Sequence, residues 1–403
     1  MITVFYDVDT RELFTSSTLR SCLDYIVLST AAIFAFALPF VLSLPQVFFD
    51  KNKLKNNKKK FSQYALIFIV LATFGELLNM YRAGGMGLLA YGKAVYQAEV
   101  GNLFLSIPST FFLQVGTFFL GLRLYLSYEE RLYNAFKSKI LVISIIILIP
   151  IMMLYFSIGF RSPILAISVA FIIGFTYFQS IKRVNRKVLG LIFIGYSALA
   201  ILFGIRGQLK LLFLTGDWNA FNEYVVENKS YLLYYNPANN EFGASFMNYI
   251  HFHRKANTTP LLYGKSYLEG VLISIPGALL PFEKPLPIDF KFRDLYFSEY
   301  KEASRISGTG FSSIMEAQWN YGFLGPFLVY LVLGSFVWVL EFYRNSYKYL
   351  FIFPLFYAMI VPISQSFHRS ASGFYVSYSI LLVAFLIVIV LIKTILSSLR
   401  AIL

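Results

Sequence analysis

The chain has 403 residues, of which 57% are hydrophobic, 19% aromatic and 14% charged, with a mean hydropathy of +0.63. Soluble domains carry roughly 25% charged residues, so this composition excludes an ordinary soluble protein and points to an all-α, polytopic membrane protein. A net charge of +14 would suggest nucleic acid in a soluble chain, but the densest basic run, Lys51 to Lys60, flanks an apolar segment, where anionic lipid headgroups account for it and no nucleic acid is expected.

A helix rising about 1.5 Å per residue needs about 20 apolar residues to cross a hydrocarbon core of about 30 Å. In chain order, spans are predicted over Tyr25 to Phe48, Phe61 to Tyr81, Leu103 to Leu126, Ile140 to Ile158, Pro163 to Gln179, Val188 to Ile205, Phe323 to Phe342, Leu350 to Ser366 and Phe374 to Ile392, about nine in all. Asp7, Asp9, Glu12 and Asp24 precede or open the first run, which argues against a cleaved signal peptide with a short basic leader. Cys22 is the one cysteine, so neither an internal disulfide nor a thiolate metal cluster is available.

Lys and Arg collect in cytoplasmic loops. The runs Lys51 to Lys60, Glu129 to Lys139 and Ile181 to Lys187, the YRNSYKY turn, and Lys393 with Arg400 all fall on one side if there are nine spans. The N-terminus is then extracytoplasmic and the C-terminus cytoplasmic. Residues 1–206 hold six spans, 207–321 a large extracytoplasmic region and 322–403 the last three. Within the external region, the stretch YGKSYLEGVLISIPGALLPFEKPLP is too short and too punctuated by Pro and Gly for a secure span, and is expected to be interfacial or re-entrant.

Cations gather at the outer ends of these helices: Arg161 between the fourth and fifth spans, Arg206 and Lys210 after the sixth, Arg305 before the seventh, and His368 with Arg369 between the eighth and ninth. Arginines at helix ends can simply snorkel to headgroups. Taken together they also suit a lipid-linked phosphate or pyrophosphate, because guanidinium keeps its charge and offers a planar fork of donors to phosphate oxygens.

Tyr263 to Pro285, YGKSYLEGVLISIPGALLPFEKP, followed by Ser307 to Gly334, SGTGFSSIMEAQWNYGFLGPFLVYLVLG, resembles bacterial oligosaccharide repeat unit polymerases of the Wzy type. The order of a Gly-Lys-Ser-Tyr segment, an Ile-Pro, a Lys-Pro, a Thr-Gly, an acidic residue and an Asn-x-Gly carries the likeness. It reaches upstream to the Arg-Ser joint at Arg161 and covers about the last two thirds of the chain; the first hundred residues show nothing that matches. The resemblance implies a bacterial plasma-membrane enzyme with a GT-C-like fold that joins repeat units carried on undecaprenyl pyrophosphate, with no nucleotide sugar, cofactor or metal. It also implies a chain-length regulator and a flippase as possible partners.

In that reaction a sugar hydroxyl attacks the anomeric carbon of the growing chain and expels undecaprenyl pyrophosphate. Arg161, Arg206, Lys210, Arg305 and Arg369 are the candidate pyrophosphate clamp, and His368 and Glu316 the candidate bases. Ser313, Glu316 and Asn320 are spaced to share one helical face, where a carboxylate either serves function or pairs with an arginine. Trp218, Tyr263, Tyr267 and Trp319, with Asn320, are candidate sugar contacts. The acidic triplet Asp7 to Asp9 looks like the metal motif of metal-dependent GT-C enzymes but falls in the N-terminal tail. His251 and His253 in HFH share one side of a strand but diverge on a helix, and are expected not to hold a metal. A ligase-like transferase using the same donor stays open. A flippase or transporter should carry polar groups near mid-membrane, where Glu76 is the main exception to apolar span centres.

Overall fold

The computed structural model of the chain describes residues 16–42, 51–82, 109–128, 138–158, 161–177, 216–223, 248–253, 259–275, 280–296 and 311–347, with a few single positions between them. Among the described residues every regular element is a helix and no strand occurs. Among the described residues four helical stretches are long and apolar enough to cross a membrane, Leu19–Leu42, Lys58–Arg82, Ser109–Ser127 and Ser313–Phe342. Lys139–Tyr155 and Ala166–Thr176 are shorter apolar helices. The protein is a helical membrane protein. The expected spans at 350–366 and 374–392, and nearly all of that at 188–205, lie outside the described residues.

The elements are, in order, α1 (Ser16–Leu42), α2 (Lys51–Arg82), α3 (Ser109–Tyr128), α4 (Lys139–Ile158), α5 (Arg161–Thr176), the short α6 (Trp218–Asn222), α7 (Lys265–Ser274), α8 (Ile288–Tyr296), α9 (Ser313–Tyr321), a 3-10 turn at Gly322–Leu324 and α10 (Gly325–Tyr347). Residues 248–253 are also helical. They belong to two compact units. The first comprises Met1–Pro45, Glu241–Phe342 and Pro362–Leu403, and the second Gln46–Asn240 and Tyr343–Val361.

The second unit is a bundle of α2 to α5, with α3 at its buried centre. Ile69 and Ala72 of α2, Leu113 of α3, Ile151 and Tyr155 of α4 and Ile167 of α5 form its core. Glycine lets α3 and α5 touch backbone to backbone. A Cβ on Gly121 would sit 2.3 Å from the Phe171 carbonyl oxygen, and one on Gly174 2.1 Å from that of Phe118. Small residues at such crossings are how helices pack when lipid offers no hydrophobic drive between them. The ionisable side chains buried in this bundle have partners. Ser109 Oγ donates to Glu76 Oε2, and Arg123 donates from Nε to Ser62 Oγ at 3.1 Å and from a terminal nitrogen to Ser127 Oγ. Arg161 opens α5, and Pro163 falls in its first turn, where the missing amide hydrogen costs nothing, so the helix starts two residues before the expected boundary.

In the first unit, Leu28, Ala32 and Ala35 of α1 face a core shared with Tyr249 and Phe252, with Phe292 of α8, with Ile314, Met315 and Trp319 of α9 and with Tyr330 of α10. α1 crosses α10 where a Cβ on Gly334 would lie 2.3 Å from the Phe36 carbonyl oxygen. Away from this core, Leu328, Val332, Phe336, Val339 and Phe342 form an exposed stripe at helical spacing on α10. An apolar face of that length suits lipid. α1 starts at Ser16, well before the expected Tyr25, and takes in Asp24, whose charge is paired with His253. α7 ends at Ser274, with Ile275 extended ahead of Pro276, a residue type that disfavours helix in its predecessor. The stretch expected to be interfacial or re-entrant thus begins with a ten-residue helix.

Candidate functional site

The two sequence segments that carry the resemblance meet in the first unit. α9 begins at Ser312, whose Oγ accepts the Met315 amide hydrogen at 3.3 Å, and a hydroxyl cap is needed there because the site is buried. At its other end the last carbonyls of a helix have no partner within the helix. Here the loop 260–264 supplies them: the Leu262 amide donates to Trp319 O at 3.0 Å and the Tyr263 amide to Asn320 O at 3.1 Å. The Gly264 amide then donates to the Asn320 side-chain carbonyl at 2.8 Å. Three successive amides of the loop are therefore held by two residues of α9.

Asn320 extends the network inward. Its Nδ2 donates to Ser266 Oγ at 2.7 Å and to the Glu316 carbonyl at 2.8 Å, while Ser266 Oγ donates to Glu316 Oε1 at 2.6 Å. Glu316 and Asn320 are fully buried and Ser266 nearly so. A buried carboxylate without hydrogen bonds is costly, and this one is bonded at the start of α7. Ser313, the third residue expected on this face, bonds instead to the Tyr330 hydroxyl. Trp319 donates Nε1–H to Pro260 O at 3.2 Å and packs among Phe252 and Phe311 at 6.1 Å each. Trp319 and Asn320, expected as sugar contacts, are thus interior framework: 4% and 0% exposed, they present no surface to a ligand.

What the framework presents outward is the loop tip. Tyr263 has φ +48 and Gly264 φ +86. A left-handed backbone costs a non-glycine residue on the order of 1–3 kcal/mol and persists only when surrounding bonds over-determine it, as the pairing with Trp319 and Asn320 does. Tyr263 is 79% exposed. Beside it, the Tyr267 and Tyr321 rings stack with centroids 6.2 Å apart and planes 14° from parallel, and the Tyr321 hydroxyl approaches Gly264 so closely that a Cβ there would lie 2.8 Å from it. Lys265 is exposed at the first turn of α7. Together the exposed Tyr263 and Tyr321, the Tyr267 ring, whose hydroxyl is buried, and Lys265 make an aromatic surface with one cation. Tyr321 was not among the expected contacts; its adjacency to the Asn-x-Gly turn was the available clue.

α8 lies against the same region. Lys291 Nζ donates to Glu269 Oε2 at 2.5 Å, tying α8 to α7. Burial pushes the Asp289 carboxyl above the usual aspartate range, against two backbone amides, its own and that of Phe290, and the Arg293 charge, which pull it down.

A second polar cluster was not foreseen. His253 Nε2 lies 2.8 Å from Asp24 Oδ2, and its Nδ1 is 2.9 Å from Ser21 Oγ. HFH is helical, so its two imidazoles diverge and Phe252 turns into the core. Ser21 and Asp24, three apart at the head of the first apolar run, share a helix face, and that spacing was the legible clue to a polar partner.

The remaining candidates are placed as follows. Arg161 is the first residue of α5, in the second unit. Trp218, in the same unit, opens α6 behind the Asp217 cap and is 64% exposed, edge-on to Phe221 at 6.0 Å. Arg206, Lys210, Arg305, His368, Arg369 and the triplet Asp7 to Asp9 lie outside the described residues. Among the described residues no cluster of three or more His, Cys, Asp or Glu side chains is arranged to hold a metal ion. No family model, curated protein or solved structure matches the chain.

Proposed function

We propose that the protein is a membrane glycosyltransferase that polymerises oligosaccharide repeat units carried on undecaprenyl pyrophosphate at the outer face of a bacterial plasma membrane. The observation that carries this reading is the bonded network of Gly264, Ser266, Glu316 and Asn320, which joins the two segments whose order resembles Wzy-type polymerases. Residues far apart in sequence thus form one framework under an exposed tyrosine surface.

In this reading a pyranose ring of a repeat unit rests on Tyr263 and the Tyr267–Tyr321 pair, since an aromatic face matches the apolar C–H face of a sugar and the Tyr263 phenol hydroxyl meets its polar rim. Trp218 is a further sugar contact. The hydroxyl oxygen of one lipid-linked unit forms a bond to the anomeric carbon of the other, the bond from that carbon to the pyrophosphate oxygen breaks, and undecaprenyl pyrophosphate leaves with the electron pair. Arg161, Arg206, Lys210, Arg305 and Arg369 are proposed to receive the charge that grows on the leaving group, and His368 the proton of the attacking hydroxyl. Glu316, closed to solvent, acts as a positioning residue that holds Ser266 and Asn320. The proposal includes about nine spans with a GT-C-like arrangement, an extracytoplasmic N-terminus and a cytoplasmic C-terminus.

Deleting the gene in its host and profiling surface polysaccharide on gels tests the reading. Loss of the ladder, with single repeat units retained on lipid and the ladder restored by the wild-type gene, supports it. An unchanged ladder would refute it, and accumulation of repeat units at the inner leaflet would indicate a transporter instead.

A further inference from the structure

We infer that Asp24, His253 and Ser21 form a proton-linked latch that positions the candidate site from the head of α1. The geometry is a bonded chain across two elements: Asp24 Oδ2 to His253 Nε2 at 2.8 Å, and His253 Nδ1 to Ser21 Oγ at 2.9 Å. The His253 and Asp24 side chains are 25% and 29% exposed, so protons reach the pair, whereas Ser21 is buried.

The latch is mechanically linked to the site. Residues 248–253 hold Tyr249 and Phe252 in the core, and Phe252 lies 6.1 Å from Trp319, the residue whose carbonyl takes the Leu262 amide. Whatever fixes 248–253 against α1 also fixes one wall of α9. Tyr25 of α1 packs on Tyr249 at 4.7 Å, and Tyr249 stacks on His253 at 5.9 Å. Among the described residues, the titratable groups seen to pack around the imidazole are therefore Asp24 and Tyr25 from α1 and Tyr249 from its own helix, with Asp24 the carboxylate.

Imidazole changes charge between about pH 5 and 8. In the cation both ring nitrogens donate, Nε2–H to the Asp24 carboxylate and Nδ1–H to Ser21 Oγ. In the neutral ring Nε2–H still donates to the Asp24 carboxylate, but Nδ1 becomes an acceptor for the Ser21 hydroxyl and the ion-pair attraction between ring and carboxylate is gone. An ion pair adds Coulomb attraction to a hydrogen bond that a neutral donor makes without it. The latch therefore holds at acid pH and loosens as pH rises. The latch rests on geometry alone; its effect on glycosyl transfer rests on the reading proposed above.

Hydrogen exchange of the full-length protein in lipid nanodiscs, expressed as protection factors for residues 248–253, tests it. The wild type should be about two- to fivefold better protected near pH 5.5 than near pH 8, the usual worth of a partly exposed ion pair. Asp24→Asn should flatten this dependence and Ser21→Ala reduce it, while the α9 peptide reports whether each variant is folded. Wild-type protection independent of pH, or an undiminished dependence in folded Asp24→Asn, would overturn the latch. A pH-dependent latch in a protein without transferase activity would keep the latch and remove its tie to catalysis.

Discussion

Asn320 is where the most bonds converge, since one side chain holds the Gly264 amide, the Ser266 hydroxyl and the Glu316 carbonyl. Truncating it takes the partner from the Gly264 amide, at about 1–3 kcal/mol for a buried group left unsatisfied, and leaves the Ser266 hydroxyl only its bond to Glu316. Asn320→Ala is therefore expected to lower the unfolding temperature strongly and to open 260–264 to limited proteolysis. Glu316→Gln keeps an acceptor for Ser266 and should stay close to wild type in a thermal melt, whereas Glu316→Ala should not. Tyr263 makes the opposite case. Tyr263→Gly removes a left-handed strain on the order of 1 kcal/mol or more, so the variant should melt higher than wild type, and in the proposed reading it should also lose transfer activity with the sugar contact. A melt lower than wild type would show that Tyr263 is held by contacts of its ring rather than strained by its backbone.

At the scale of elements, helix existence was legible where it depends on local hydropathy. α4 begins and ends near its apolar run, and α2 and α3 end near theirs, because spanning length is a property of consecutive residues, whereas α2 begins at Lys51 and takes the expected basic loop Lys51 to Lys60 into the helix, and α3 begins at Ser109. α1 was misjudged at its start because Asp24 reads as a polar boundary, and its partner His253 is distant in sequence. The candidate site was half legible. The spacing of Glu316 and Asn320 placed them on one face, but only the fold shows that the face turns inward to Ser266, so that Trp319 and Asn320 support the surface instead of forming it. Two predictions belong here. Gly121→Leu puts a side chain into the Phe171 backbone and should separate α3 from α5, seen as loss of monodisperse protein on extraction. Asp289 gives α8 a pH dependence. Its carboxyl is held above the usual aspartate range by burial, so its share of stability is complete below that range and is lost as pH rises through the folded-state value. Asp289→Asn should therefore gain on wild type in melting temperature as pH rises from about 4 to 7, and parallel curves would contradict the assignment.

For the molecule as a whole, composition decided most. A chain with 14% charged residues and a mean hydropathy of +0.63 belongs in lipid, and the exposed apolar stripe on α10 is consistent with that. The first unit holds the bonded framework, the tyrosine surface and the proton-linked pair, while in the second the buried Glu76 and Arg123, among the described residues, are hydrogen-bonded to serines. The measurement that bears most directly on the proposed activity uses purified protein with a synthetic undecaprenyl pyrophosphate repeat unit from its own gene neighbourhood, followed by gel and mass spectrometry. Wild type is predicted to give a ladder spaced by one repeat unit with undecaprenyl pyrophosphate released, and Arg161→Ala to slow it by about a hundred- to a thousandfold, the usual effect of removing one preorganised donor. A folded wild-type protein that yields no ladder, or moves the lipid across a liposome bilayer instead, would contradict the account.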